Sequence, residues 1–273
     1  MYFQPTTLSQ AVRDAQVEGV RILAGGTDFY PSHGDVLPDF PILDISRVDE
    51  ISGINRTDTG WRIGGGATWT DVIRADLPRG FDGLKAAARE VGSVQIQNMG
   101  TVAGNLCNAS PAADGVPPLL TLNAEVELVG PDGARRLPLE KFLLGVRKTA
   151  LTPGEILAGL HVPDTGQAVS GFSKLGSRKY LVISIAMVAV YLIVEDGAIS
   201  DLRVAVGACS PVAQRLPMLE ADLRGARDVR GCVMPMHLSD LSPIDDVRGS
   251  GEYRLDVVVP LIERALIAAM EQA

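Results

Sequence analysis

Residues 184–208 read SIAMVAVYLIVEDGAISDLRVAVGA, two long apolar runs that meet at Asp196-Gly197. An Asp-Gly pair supplies the backbone conformation that a two-residue hairpin turn needs, and β-branched runs fit a pleated, buried surface. The pattern predicts a long antiparallel hairpin covered by helices on one face. The tail from Val257 to Met270 carries apolar residues at helical spacing and supplies one such helix. Ahead of the hairpin, residues 164–170, DTGQAVS, are small and polar and predict a linker. The domain boundaries that follow are 1–165 and 170–273.

The first domain reads differently. Thr7 and Gln10 form a T-x-x-Q capping box, and Leu8, Ala11, Val12 and Ala15 recur at helical spacing. Gly19 is expected to end that helix, with Val20–Ala24 as a short buried strand and Pro41–Ile45 as a second. Parallel pairing is the default for such a β-α-β opening. A mixed α+β segment follows. Thr57–Gly60 and Pro131–Gly133 mark hairpin turns, Thr70 is expected to cap a short helix, and Leu84, Ala87, Ala88 and Val91 mark another. Glu155–Val162 reads as one more strand.

Composition removes several functions. Net charge is −8 and no basic run occurs, which excludes a nucleic-acid partner. No apolar run reaches the roughly eighteen residues of a membrane span. The segment MYFQPTTLSQ has neither a basic nor an apolar leader region, so a cytoplasmic protein is expected. Cys107, Cys209 and Cys232 are scattered without a C-x-x-C spacing, and His33, His161 and His237 are isolated. That leaves no ligand set for zinc or an iron–sulfur cluster. Redox chemistry on this chain needs an organic cofactor.

Three glycine groups interrupt the apolar pattern. Ala24-Gly25-Gly26-Thr27-Asp28 follows a strand directly. Its glycines allow positive φ and close backbone approach, and successive amides in such a turn form a concavity for phosphate. A plain tight turn accounts for these residues equally well, and the G-x-G-x-x-G of a Rossmann turn is absent. A second stretch, Asn98 to Asp114, spends Gly100, Thr101, Gly104, Asn105, Asn108 and Ser110 on something other than a core. It reads as a polar loop whose density of amides and hydroxyls fits a cradled ligand. The third group, Gly64–Gly66, reads as a bulge or a close backbone approach.

LAGGTD near residue 25, GTVAGNLCNASPAAD near 105, EILAGLHVP near 155 and FSKLGSR near 172 occur in order, and SGEYRLDVVVPLIERAL closes the chain. Together they resemble the FAD-binding medium subunit of the molybdenum hydroxylases, the xanthine, aldehyde, carbon monoxide and nicotine-type dehydrogenases. The resemblance implies an α+β fold: a two-subdomain FAD-binding domain of the vanillyl-alcohol-oxidase (PCMH) type, then a small C-terminal α+β domain with a three-stranded antiparallel sheet. It implies that Ala24, Gly25, Gly26, Thr27 and Asp28 wrap the FAD diphosphate, with Thr101, Ala103, Gly104 and Asn105 as a second clamp. It places Asn108, Ser110 and Asp114 toward the ribityl chain, adenosine or flavin ring, Leu157 against the cofactor, and Lys174 at the flavin carbonyl edge.

Two departures stand out: Ala103 where glycine is frequent, and Phe29-Tyr30-Pro31 in place of an aliphatic pair. Tyr30 or Tyr180 reads either as a cover for a flavin face or as a core or rim aromatic. The resemblance also implies partners: a [2Fe-2S] small subunit and a molybdopterin large subunit in a dimer of heterotrimers, with an external electron acceptor. No residue of this chain is then catalytic and none binds a metal. The competing reading is a stand-alone FAD-dependent reductase or oxidase, for which Glu220 and Glu252 are the available acids.

Overall fold

The computed structural model describes residues 1–34, 36 and 38–273. The chain forms two compact units that interleave along its length: one holds residues 1–75, 93–108 and 124–164, the other 76–92, 109–123 and 165–273. The chain therefore passes between the units several times before it reaches residue 165. The polar stretch at 164–170 is no free tether. Thr165, Ala168 and Val169 are buried, and Val169 already begins a strand.

The first unit contains two sheets. Tyr2–Phe3 and Arg21–Leu23 pair in parallel on either side of Ile42–Asp44. Between them runs the helix Leu8–Asp14, with the reciprocal Thr7–Gln10 capping box in place. The helix stops at Ala15 rather than at Gly19, which instead takes φ +71 in the turn before the strand. Only Leu23 of the strand Arg21–Leu23 is buried, because this strand lies at the sheet edge. The second sheet is antiparallel, in the order Ile54–Thr57, Gly60–Gly64, Ile156–Pro163, Glu125–Gly130, Gly133–Pro138. Both predicted hairpins are present. Leu43, Ile45, Ile51, Ile156 and Ala158 share one core with Ala11 of the helix.

Gly64 and Gly65 serve close approach. A Cβ at Gly64 would lie 2.2 Å from the Ile51 carbonyl oxygen, and one at Gly65 would lie 2.3 Å from that of Leu157. The helix Trp69–Arg74 is capped by Thr68 rather than Thr70. Thr68 Oγ1 accepts from the Asp71 amide while the Asp71 carboxylate accepts from the Thr68 amide, a reciprocal box that Thr70 has no partner to match. The Thr70 hydroxyl instead donates to Asn98.

The second unit is built on the antiparallel sheet Val169–Leu175, Ala186–Glu195, Ala198–Gly207, Gln214–Arg215. Three long strands carry it, and a two-residue strand finishes the edge. Asp196 and Gly197 both take positive φ (52° and 74°), as the two-residue turn requires. The helix Gly251–Met270 covers the sheet, with Val258, Ile262, Ala265 and Leu266 packed among Val188, Val190, Val204 and Val206. It starts well before Val257, because Ser250 caps it and its opening turns are polar. Two earlier segments complete the unit. The helix Asp82–Glu90 abuts the first strand, with the Gly83 amide donating to Ser170 Oγ at 2.8 Å. The helix Val116–Thr121 takes a bond from Arg203 on the third strand to the Thr121 carbonyl.

Arg254, 2% exposed, ties the start of the long helix to the sheet. Its guanidinium donates to the carbonyls of Ile185 and Ala208 and to the Asp246 carboxylate at 2.7 Å. Among the described residues no helix is long and apolar enough to cross a membrane, and no group of three or more His, Cys, Asp or Glu could hold a metal ion.

Arg254→Leu removes a donor from two carbonyls and one of the two guanidinium partners of Asp246, which keeps Arg248, and is expected to lower unfolding stability by about 3 kcal/mol. A fall in midpoint in urea denaturation, at unchanged slope, is the readout. A second prediction concerns acid. Arg135 holds Glu155 through a forked pair at 2.6 and 2.8 Å, and drives the Glu155 carboxyl down to about 2. A depressed carboxyl pKa stabilises the fold above the ordinary carboxylate range and loses that contribution as pH falls from about 4.5 through about 2. Because Arg135 is half exposed, the contribution is about 1 kcal/mol. Glu155→Gln should remove this part of the acid limb in a pH series of denaturation curves.

Candidate functional site

The strand Arg21–Leu23 delivers the chain to Ala24, where sheet pairing stops. A Cβ at Gly25 would sit 1.8 Å from the Met99 carbonyl oxygen and 3.0 Å from the Gly100 Cα. No side chain fits there. The turn at 24–28 and the stretch that opens at 98 therefore touch backbone to backbone, within the first unit. Two further contacts join them: a Cβ at Gly100 would meet Thr27 Oγ1 at 3.3 Å, and Asn108 Nδ2 donates to the Asp28 carboxylate. Gly26 takes φ +72, which bends the backbone sharply after Gly25.

The second stretch is not the loop expected from its polarity. Val102–Asn108 is a short helix, with Val102, Ala103 and Leu106 buried along one side. Thr101 Oγ1 accepts from the Gly104 amide at 2.9 Å and so caps it. A Cβ at Gly104 would crowd that same hydroxyl at 2.8 Å. Ala103 turns its methyl inward at 5% exposure, so the departure from glycine is absorbed by packing.

Two observations show what this arrangement lacks. Among the described residues, the amide N–H groups of Gly25, Gly26, Thr27 and Asp28 donate to no acceptor. Consecutive unspent amides in a bent backbone form a concavity that attracts an anion. Asn105 Oδ1 is buried and has no hydrogen-bond partner. An orphaned buried oxygen costs about 1–3 kcal/mol, which a ligand hydroxyl or N–H would relieve. Anion-seeking amides beside an acceptor that needs a donor fit a polyol diphosphate such as FAD.

Leu157, also in the first unit, is 3% exposed on the strand Ile156–Pro163, beside a bulge between Leu157 and Gly159. The remaining residues singled out from the sequence lie in the second unit. Ser110 Oγ accepts from the Ala112 amide in the turn after the short helix. Asp114 is 8% exposed; Lys174 Nζ lies 2.6 Å from one carboxylate oxygen, and the Ser184 hydroxyl donates to the other at 2.6 Å. Burial pushes the Asp114 carboxyl up, against the opposing pull of Lys174. Lys174 also donates to the Glu90 carbonyl at 3.3 Å, so its ammonium is committed within its own unit.

Two participants escaped the sequence reading. Met99 contributes a carbonyl, which no residue pattern announces. Arg147, in a left-handed conformation in the tight turn between Leu143–Gly145 and Lys148–Thr149, donates to the Asn108 carbonyl at 3.3 Å. Tyr30 lays the end of its ring against Gly26, where a Cβ would come within 2.8 Å of it. Tyr30 and Tyr180 are both exposed, at 58% and 64%, so neither is a core aromatic. Of the acids that a stand-alone enzyme would use, Glu220 is spent on Arg215 and the Val204 amide, and Glu252 is exposed in the first turn of the long helix.

The geometry agrees with the relatives of the chain. The family described as FAD binding domain in molybdopterin dehydrogenase matches residues 1–165, and the CO dehydrogenase flavoprotein C-terminal domain matches residues 172–269. A putative xanthine dehydrogenase FAD-binding subunit of Escherichia coli K12 is 30% identical over all of this chain and 96% of its own length. The glyceraldehyde dehydrogenase medium chain of Sulfolobus acidocaldarius is 28% identical over 97% of this chain and 96% of its own. Among solved structures, a carbon monoxide dehydrogenase from Hydrogenophaga pseudoflava, lacking the Mo-pyranopterin moiety of its molybdenum cofactor, superposes with a TM-score of 0.92. That match is 26% identical and covers 100% of this chain and 97% of the other. The chain belongs to the FAD-binding medium subunits of the molybdenum hydroxylases, oxidoreductase subunits of the xanthine, aldehyde and carbon monoxide dehydrogenase type that use FAD as cofactor.

Proposed function

We propose that this subunit takes electrons from [2Fe-2S] clusters on a small partner subunit and passes them to an external acceptor. The proposed assembly also contains a molybdopterin large subunit, where the substrate is oxidised, and is a dimer of such heterotrimers. The observation that carries this reading is the pair of apposed turns, with four unspent amides at Gly25–Asp28 and the orphaned Asn105 Oδ1. Bound FAD supplies a redox centre able to exchange electrons singly or in pairs.

The chain's own residues bind and orient. The amides of Gly25, Gly26, Thr27 and Asp28 hold the diphosphate, and Asn105 accepts a hydroxyl of the cofactor. Thr101 keeps the short helix capped, so that Gly104 and Asn105 stay in register with the first turn. Asn108 holds Asp28, and Arg147 holds Asn108. The assignment of Ser110, Asp114, Leu157 and Lys174 to the cofactor rests on the family resemblance.

Binding is tested by two glycine variants. Gly25→Ala drives a methyl into the Met99 carbonyl and separates the turns, so the FAD-to-protein ratio after gel filtration should fall about tenfold. Gly19→Ala is strained by its φ of +71 but meets no atom within 4 Å. It should cost about 1 kcal/mol of stability and keep full flavin content. Electron transfer is tested by rapid mixing. A substrate-reduced complex of the small and large subunits, mixed with the FAD-loaded chain, should bleach the visible flavin band. A band that stays unchanged while the clusters remain reduced overturns the relay.

A further inference from the structure

The segment Cys232–His237 reads CVMPMH and carries sulfur at every second position: Cys232, Met234 and Met236. Both methionines are exposed, at 49% and 55%, and Cys232 is half-buried. Met218, on the helix Pro217–Asp222, is exposed as well, at 42%. Met187, by contrast, is fully buried in the sheet, where a flexible thioether fills core space. The three exposed thioethers fill no core.

One buried imidazole brings them together. His237 Nδ1 accepts from the Met234 amide at 3.0 Å, so the ring proton sits on Nε2, which donates to the Asp222 carboxylate at 3.0 Å. Met218 lies four residues before Asp222 and therefore on the same side of its helix. Met236 adjoins His237 in the turn Pro235–Leu238, and Pro235 fixes the backbone between the two methionines. Three methionines thus surround the His237 anchor, with Cys232 two residues further along the chain. Both nitrogens of His237 are spent, so the imidazole fixes the backbone and is no ligand itself.

We propose that Met218, Met234 and Met236, with Cys232, bind a single soft monovalent cation, Cu(I). Thioethers widen the ligand set beyond His, Cys, Asp and Glu, and they discriminate sharply among metals. A neutral sulfur holds hard cations such as magnesium or calcium poorly, whereas thiolate and thioether together select Cu(I). Zinc needs four nitrogen, thiolate or carboxylate ligands in a structural site, and one thiol beside a spent imidazole does not supply them. The anchored backbone means that little more than the methionine side chains must be ordered on binding. The site is independent of the electron-relay reading, because it rests on the segment 232–237 and the helix beside it.

The test is an anaerobic titration of the FAD-loaded subunit with Cu(I), using bicinchoninate as the coloured competitor. The wild type should withdraw one equivalent of Cu(I), and X-ray absorption of that complex should show sulfur neighbours. The combined variant Met218→Leu, Met234→Leu, Met236→Leu nearly conserves volume and should keep its fold and flavin content. Its affinity for Cu(I) should fall by at least about a hundredfold, since even partners outside a ligand shell are worth about ten- to a hundredfold. Met236→Leu alone should lower it by at least about tenfold, which keeps the test open if the combined variant does not fold. Cys107 is the exposed thiol elsewhere in the chain, and Cys107→Ser should leave Cu(I) binding unchanged. Equal affinity in the wild type and the leucine variants overturns the proposal. So does loss of binding in Cys107→Ser, or a first shell of nitrogen and oxygen in the absorption spectrum.

Discussion

The first unit depends on a contact in which no side chain takes part. Met99 turns its carbonyl to the place where Gly25 would carry a Cβ, and the resulting approach fixes two bends that lie far apart in sequence. Everything else at the site is arranged around that contact. Thr27 lies over Gly100, Asp28 is held by Asn108, and Thr101 caps the short helix that carries Asn105. Among the described residues, the four amides of Gly25–Asp28 have no acceptor. Binding is built by withholding partners, and the protein bears a cost in stability until a ligand supplies them.

The sequence disclosed this site unevenly, and the reasons are physical. Paired glycines after an apolar run are visible because glycine is the residue that close approach demands, so Gly25, Gly26, Gly64 and Gly65 could all be singled out. What each glycine approaches was invisible, since Met99 and Ile51 act through carbonyls common to all residues. The second stretch reads as a loop in the sequence because its polar residues hide a short apolar side formed by Val102, Ala103 and Leu106. Secondary structure was most legible where the period was long, as in the strands either side of Asp196-Gly197. It was least legible at helix ends: Thr68 outcompeted Thr70 through a single aspartate three residues on, and Ser250 began a helix whose apolar stripe appears only later.

The same chain handles charge in two ways. Asp114 and Lys174 are buried together with Ser184 and the Glu90 carbonyl, and each satisfies the other inside its own unit. A lysine selected by a motif need not present a free ammonium. Arg178 and Lys179, a few residues further along, stay exposed and form no ion pair among the described residues. Position in the motif and availability to a ligand are separate properties, and only coordinates distinguish them.

The interleaving of the two units has a bearing on how the polypeptide emerges from the ribosome. The helices Asp82–Glu90 and Val116–Thr121 leave the exit tunnel before the strands that cover them, and the helix from Gly251 follows those strands. Their apolar faces wait, uncovered, until the strands Val169–Leu175, Ala186–Glu195 and Ala198–Gly207 have been translated. Until those strands arrive, the two early helices offer apolar surface to whatever else the nascent chain meets.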